Sequence, residues 1–450
     1  MPHEAGASGA GTVVTSVSAE VSSPPVTEPD PTTGSRLRRL LRGLQLPIWS
    51  VAQMAVQMAV ALLSARLLGP EDRGNLVLAT TIATLLLLVS SLGAGQASRV
   101  LLAEPGRWWT WPRFLALSAV LTVPHVVLSA TVGLAVLSAL TSGGGDLALA
   151  FVVYSATALS AHLLREGLHG LGRHRTTIAV DVSSAAVQLG LIAAAFAAGV
   201  LTPVTALYIG AVCYLGAIAA RIVVGRRADV WAREQPSVTP REWWREARGF
   251  VSISRVALVA AVGQSFVVNG DRLVLGTAGS AAQVGIYAVA SSLAQIAWVA
   301  PVALTPMLTR RIAAAGTLAA SRRMRLQVLA LTGVLAVAVA LGGWFAIPIL
   351  LGDEFTPARE VLPILCAAAV PYAGYHVDSA ASAGLRDLRT GALGALVGCA
   401  TLVPAAIGGY QLLGTAGVAC GVFVAYVVMA GTTRLRMARR VPRNPVAGGA

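Results

Sequence analysis

Lysine is absent from this chain, and all 34 basic side chains are arginine. A P-loop needs its lysine to reach the β- and γ-phosphates of a nucleotide, and protein-kinase and Schiff-base chemistry need one too. Those routes to nucleotide hydrolysis and covalent catalysis are therefore excluded. Charge of either sign is scarce at 12 %, against roughly 25 % in soluble domains. The four cysteines, Cys213, Cys366, Cys399 and Cys420, are scattered through apolar stretches with no CxxC pair and no histidine at ligand spacing. They read as small core residues, and neither a metal site nor a cofactor is expected. No HExxH, GxSxG or membrane-embedded carboxylate pair is present, which argues against an enzyme.

What fills the chain instead is apolar: 56 % hydrophobic residues and a mean hydropathy of +0.71 over 450 residues. The bilayer is the expected solvent, crossed by stretches of about 20 residues. Twelve are expected, at 46–67, 76–102, 113–140, 147–166, 177–199, 203–224, 251–273, 284–307, 326–350, 361–384, 391–411 and 415–433. Residues 1–35, rich in Ala, Gly, Ser, Thr and Pro, are expected to form a disordered tail. They lack the charged start and apolar core of a cleavable signal, so the first span should serve as its own insertion signal.

The arginines set the orientation. Arg36, Arg38, Arg39 and Arg42 precede the first span, and every second connection afterwards carries the basic charge, with Arg99, Arg107 and Arg113, then Arg165, Arg173 and Arg175, and so on to Arg434–Arg443. Alternate connections hold only Arg66, Arg73, Arg272 and Arg359. The positive-inside rule then places both termini in the cytoplasm, in keeping with an even number of spans. The net charge of +14 belongs to this topology and not to a nucleic-acid surface. The longest internal connection holds Thr239, Pro240 and Glu242, the pattern of a helix-capping box, followed by Trp243, Trp244, Arg245 and Arg248. An amphipathic helix on the inner surface is expected there. Its tryptophans, like Trp108, Trp109 and Trp111, are expected at headgroup depth.

The halves repeat one another. Gly170–Thr176, GLGRHRT, aligns with Gly384–Thr390, GLRDLRT, at an offset of 214 residues. Arg66–Ala79 has a looser counterpart in Arg272–Ala290, each with a Gly that opens the next helix. The expected organisation is a tail (1–35), an N-lobe of six helices (36–227), a cytoplasmic amphipathic linker (228–250), a C-lobe of six helices (251–436) and a second tail (437–450). The lobes are related by an axis along the membrane normal.

Three segments carry a family resemblance: Ala65–Gly74, ARLLGPEDRG; Asp271–Leu293, DRLVLGTAGSAAQVGIYAVASSL, with Pro306 beyond it; and Ile349–Leu365, ILLGDEFTPAREVLPIL. Over roughly residues 40–436 the chain resembles the polysaccharide transporter branch of the MOP superfamily, which includes Wzx-type O-antigen flippases. The resemblance implies two lobes around a central cavity, alternating access, and a cargo of saccharide on an undecaprenyl-type pyrophosphate carrier. It also implies a bacterial cytoplasmic membrane, a place in lipopolysaccharide or other cell-surface polysaccharide biosynthesis, and membrane lipids and polymerase or export proteins as partners. Twelve spans fit the O-antigen and exopolysaccharide branch better than lipid II flippases, which typically have two more helices.

Few polar side chains lie within the spans, where a charge costs on the order of 3 kcal/mol. Arg255, a turn inside span seven and two turns from Arg248, is a candidate for the pyrophosphate, since a guanidinium fork matches phosphate oxygens; the alternative is that it snorkels to the headgroups. Gln53, Gln57, Gln264, Asn269 and Tyr375 are candidates for the saccharide, with lobe packing as the alternative. Asp378, His376 and Asp181 are candidates for ion coupling, with interhelical bonds or an Asp181–Arg165 ion pair as the plainer reading. Competing functions are a MATE-type multidrug or cation antiporter, which would need an embedded acid, a polysaccharide-building enzyme, and a transport-inactive scaffold.

Overall fold

The computed structural model describes residues 33–440 apart from 104–107, 142–144, 230–237, 254, 300, 302–303, 305–307, 310–311, 313–318 and 386. Side chains are described from residue 51, and those of 252–255, 257, 319–322 and 440 are outside the description. Most of the expected N-terminal tail and the end of the C-terminal one also fall outside it. Two compact units are distinguished, Met1–Gln45 and Leu46–Ala450. In the first, the described residues are the opening turns of a helix; everything below concerns the second.

All described regular structure is helical. Helix α1, Thr33–Ser90, is broken at Gly69, whose φ of 75° and ψ of 173° only glycine adopts without strain, and Pro70 opens the second half. Leu92 and Gly93, both at positive φ, turn the chain into the short α2, Ala94–Leu101. The expected span 76–102 is thus two helices, because Gly93 supplies a left-handed turn that hydropathy does not register. Helix α3, Trp111–Leu128, continues through a π turn, Ser129–Gly133, into α4, Leu134–Leu140. Then come α5, Gly145–Gly170, α6, His174–Ala197, and α7, Pro203–Ala228, the last capped by Thr202.

Helix α8, Pro240–Ile253, begins with the capping box read from the sequence: Thr239 N donates to Glu242 Oε2 at 3.1 Å, and Glu242 N to Thr239 Oγ1 at 3.3 Å. Thr239's hydroxyl and backbone donors hold the Glu242 carboxyl below its ordinary range. The remaining helices are α9, Arg255–Ala278, α10, Ala281–Ala294 with a 3-10 turn Gln295–Trp298, α11, Ala319–Leu351, α12, Ala358–Gly384, and α13, Leu388–Arg440. Helix α13 is broken at Gly414, with φ 60°. Eight described helices are long and apolar enough to cross a membrane, and the two broken ones supply two crossings each. With Ala281–Trp298 and Ala358–Gly384, this gives about twelve crossings.

These sort into two bundles. In the first, α3, α5, α6 and α7 pack together with the second half of α1, around Phe114, Phe151, Leu159 and Leu207. In the second, α9 to α13 surround Tyr287, Leu362, Leu365, Tyr372 and Met429. Outward-facing side chains such as Val123, Val127, Val334, Phe345 and Leu412 are aliphatic or aromatic and more than half exposed, as a lipid-facing belt requires. The chain is a multi-pass membrane protein.

The tryptophan expectation needs correcting. Trp109 and Trp111 are 4 % and 0 % exposed and belong to the core of the first bundle, not to a headgroup belt. Trp111 fits because Gly225 and Gly167 face it: a Cβ at either would overlap its ring. Trp109 meets Phe250 of α8 edge-on at 4.6 Å between centroids, so α8 docks its apolar face on protein, leaving Trp244 half-exposed.

The bundles touch at the arginine-poor ends of the helices. Gly74, in the second half of α1, faces the carbonyl of Ala281, and Gly285 of α10 faces the carbonyl of Pro70; a Cβ at either glycine would overlap that oxygen. These are the two glycines that the internal repeat pairs. Nearby Arg66 donates to the Leu350 carbonyl, and Leu78 packs against Gly276. Gly74→Ala or Gly285→Ala should therefore oppose closure at this end, at an overpacking cost of about 1–3 kcal/mol, or roughly 5- to 150-fold in the closed-to-open ratio. Cross-linking between Glu71→Cys and Ala282→Cys in otherwise cysteine-free protein reads this directly: its yield should fall in either glycine variant, and an unchanged yield would contradict the contact.

Candidate functional site

Two clusters in which a buried carboxylate takes two arginines stand out, one per bundle, both at the arginine-rich ends. In the first, Asp181 of α6 sits between Arg221 of α7, which donates to Oδ1, and Arg165 of α5, whose Nε lies 3.1 Å from Oδ2. Gln53 of α1 donates to the same Oδ2 at 3.2 Å, and Arg221 also donates to the Ala161 carbonyl at 2.9 Å. In the second, Asp378 of α12 has Arg325 Nε at 3.3 Å and Arg434 Nη1 at 3.5 Å, both on Oδ1, while Oδ2 is buried with no hydrogen-bond partner among the described residues. Arg325 comes from α11 and Arg434 from the second half of α13.

Each cluster thus places two guanidinium groups on one carboxylate and keeps a surplus positive charge. Arg221 is buried with 4 % of its side chain exposed, but Arg165 and Arg434 are 38 % and 45 % exposed. The outer arginine of each set is free to meet an anion beyond the bundle. Arg221 and Arg434 stand 213 positions apart, close to the 214-residue offset of the repeat. The sequence reading left Arg221, Arg325 and Arg434 among the topology-setting arginines; the repeat-related spacing of Arg221 and Arg434 was a signal for a second role, and Arg325 carried none.

A third group lies deeper in the second bundle. Gln264 of α9 donates to Tyr372 Oη at 3.0 Å and lies 3.1 Å from His376 Nε2, both on α12. Tyr372 packs against Trp298 at 4.4 Å and Tyr426 at 4.8 Å between centroids. Tyr375 is buried and donates to the Gly391 carbonyl at 3.2 Å. These contacts fix α12 to α9, to α13 and to the turn after α10.

The other sequence candidates are dispersed. Asn269 bonds back to Ser265 in its own helix, at 3.1 Å to the carbonyl. Gln57 is exposed one turn beyond Gln53, and Arg248 is exposed on α8. The Arg255 side chain is outside the described residues. Elsewhere, Glu166 takes Arg99, and Asp271 accepts from the Tyr287 hydroxyl at 2.8 Å while its neighbour Arg272 donates to Ser291 at 3.1 Å. Among the described residues no group of three or more His, Cys, Asp or Glu side chains could hold a metal ion.

No family model matches the sequence, and no curated protein does. Solved structures do match. An inward-facing multidrug resistance MATE family transporter of the MOP superfamily aligns at a TM-score of 0.62 with 16 % identity, over 86 % of this chain and 95 % of that one. The lipid II flippase MurJ, in an inward closed conformation, aligns at 0.63 with 10 % identity over 87 % of each chain. A Vibrio cholerae MATE transporter aligns at 0.56 with 13 % identity, over 90 % and 97 %. The fold is that of MOP-superfamily transporters. At these identities the likeness defines the architecture and leaves the cargo to the chain's own residues.

The two clusters differ in depth, and so should their variants. Asp181→Asn strands Arg221 in the core without a counter-charge, which costs about 3–5 kcal/mol, whereas the more exposed partners of Asp378 can turn to solvent. In thermal unfolding in detergent, Asp181→Asn should lower the midpoint clearly more than Asp378→Asn; equal shifts would contradict the assignment of Arg221 as the buried partner.

Proposed function

We propose that this protein flips a lipid-linked oligosaccharide, of the undecaprenyl-pyrophosphate type, across a bacterial cytoplasmic membrane for cell-surface polysaccharide synthesis. The carrying observation is the surplus of guanidinium at the arginine-rich end of both bundles. Arg165 and Arg221 against Asp181, with Arg325 and Arg434 against Asp378, leave one net positive charge in each cluster. A pyrophosphate is a dianion or more, and charge-assisted contacts to it are the strong kind. A cationic drug would meet the wrong sign. The Ala65–Gly74 and Asp271–Leu293 motifs and a fold shared with a lipid II flippase support the same reading.

In this scheme both termini and the arginine-rich ends face the cytoplasm. The cargo enters between the bundles there, its diphosphate against Arg165 and Arg434 and its sugars towards the Gln264, Tyr372 and His376 group. The Gly74 and Gly285 contact closes the opposite side and parts when the bundles rock to release cargo outward. Alternating access of this kind needs no nucleotide, in keeping with a chain that has no lysine.

A second reading, a MATE-type cation antiporter, draws on Asp271, a 2 % exposed acid whose side-chain partner is a tyrosine hydroxyl and not an arginine. Sealed proteoliposomes separate the two readings. With a labelled undecaprenyl-pyrophosphate oligosaccharide in the membrane and an impermeant saccharide-modifying probe outside, wild-type protein should expose the inner-leaflet pool. Arg165→Gln with Arg434→Gln should slow this at least about tenfold, the worth of one charge-assisted contact of about 1.5–3 kcal/mol. Efflux of a cationic dye that depends on Asp271, with no saccharide flipping, would replace the flippase with the antiporter.

A further inference from the structure

The arginine-rich end of the second bundle has a groove that the transport scheme does not use. It has a volume of about 330 Å³ and lies between α9 and the two halves of α13, with Val256 and Val259 on one wall, Leu393 and Leu396 on the other, and Arg389 and Arg436 at its mouth. The four aliphatic side chains are 36–47 % exposed. Arg389 is exposed and Arg436 half-buried, and neither makes a hydrogen bond or ion pair among the described residues. Arg434, two residues before Arg436, turns the other way, to Asp378.

Two demands meet here. Exposed aliphatic walls at membrane depth accommodate an acyl chain by close packing, lipid tails being as apolar as the groove. Two guanidinium groups at one end call for an anion. From Arg389 to Leu396 the wall runs seven residues, about 10 Å at 1.5 Å per residue, along the helix axis and into the membrane. The molecule with an anionic head at the interface and a chain lying along the helices is an anionic lipid, and basic pockets between transmembrane helices bind such headgroups.

We propose that this groove seats an anionic phospholipid of the leaflet at the arginine-rich ends. The groove lies within one bundle, so an occupant has no cause to move as the bundles exchange states, unlike a cargo. Its volume is at the small end of ligand sites, which run from about 300 to 1,000 Å³, and so fits the head-proximal part of one lipid better than a long isoprenoid chain. The seated lipid joins the start of α9 to both ends of α13, on the helix that also carries Arg434.

Native mass spectrometry of the full-length protein, released from micelles containing phosphatidylglycerol or phosphatidylcholine of identical chains, tests this without saccharide or transport. Its outcome is therefore independent of the cargo proposed above. Wild-type protein should retain one phosphatidylglycerol in preference to phosphatidylcholine. Each arginine is worth roughly fivefold in lipid affinity, so Arg389→Gln with Arg436→Gln should weaken retention by roughly 25-fold. Leu393→Trp, which fills the groove and spares both arginines, should also lose the bound lipid. Equal retention of the two lipids, or phosphatidylglycerol held undiminished by the double variant, would overturn the seat. Displacement of phosphatidylglycerol by an equimolar amount of undecaprenyl phosphate would reassign the groove to the carrier and overturn the phospholipid proposal.

Discussion

Between the two bundles, backbone meets backbone among the described residues. Gly74 against the Ala281 carbonyl and Gly285 against the Pro70 carbonyl let the arginine-poor ends of the two bundles meet with no side chain between them. Everything else in the arrangement depends on that approach. Leu78 comes against Gly276 beside it, and Arg66 reaches the last turn of α11. Because the two glycines occupy equivalent places in the two halves, the contact is reciprocal, as a pseudo-twofold relation demands. Parting it would expose backbone at helix starts together with Ala65, Val77 and Leu78, which are buried against the second bundle.

Charge at the other end follows a different logic. A lone carboxylate within a span is expensive, and Asp181 and Asp378 are affordable only because two guanidinium groups accompany each. The clusters fix α5, α6 and α7 in one bundle and α11, α12 and α13 in the other. Two guanidinium groups on one carboxylate leave each cluster with a net positive charge at the arginine-rich end. Under the proposed function, the side chains that cement the bundles would also meet the phosphate oxygens, graded by exposure from Arg221 to Arg434.

Much of the fold was legible because bilayer physics constrains it so heavily. Stretches of about twenty apolar residues, alternating arginine in the connections and a repeat at an offset of 214 residues lead to a helical protein of two six-helix lobes. The capping box at Thr239 was readable for a local reason, its two hydrogen bonds lying within one turn. Long-range packing was not readable in the same way. The break at Gly93 is a local left-handed turn that hydropathy does not register, and the burial of Trp111 depends on Gly167 and Gly225, 56 and 114 residues further along, with no trace in hydropathy of which helix faces which. For the site, Asp181, Asp378, Gln53 and His376 were visible as polar exceptions in apolar runs. Their partners Arg221, Arg325 and Arg434 were hidden among the arginines that set topology, because one residue type serves both purposes in this chain.

The central claim, that the protein moves a carrier-linked saccharide outward, is tested most directly in cells that lack it. Lipid-linked saccharides would be measured by mass spectrometry, and their sidedness by a membrane-impermeant probe applied to intact cells and to inverted vesicles. The account predicts that one carrier-linked glycan builds up on the cytoplasmic face while one surface polymer is lost. An unchanged pool with unchanged sidedness, together with altered sensitivity to cationic drugs, would contradict it.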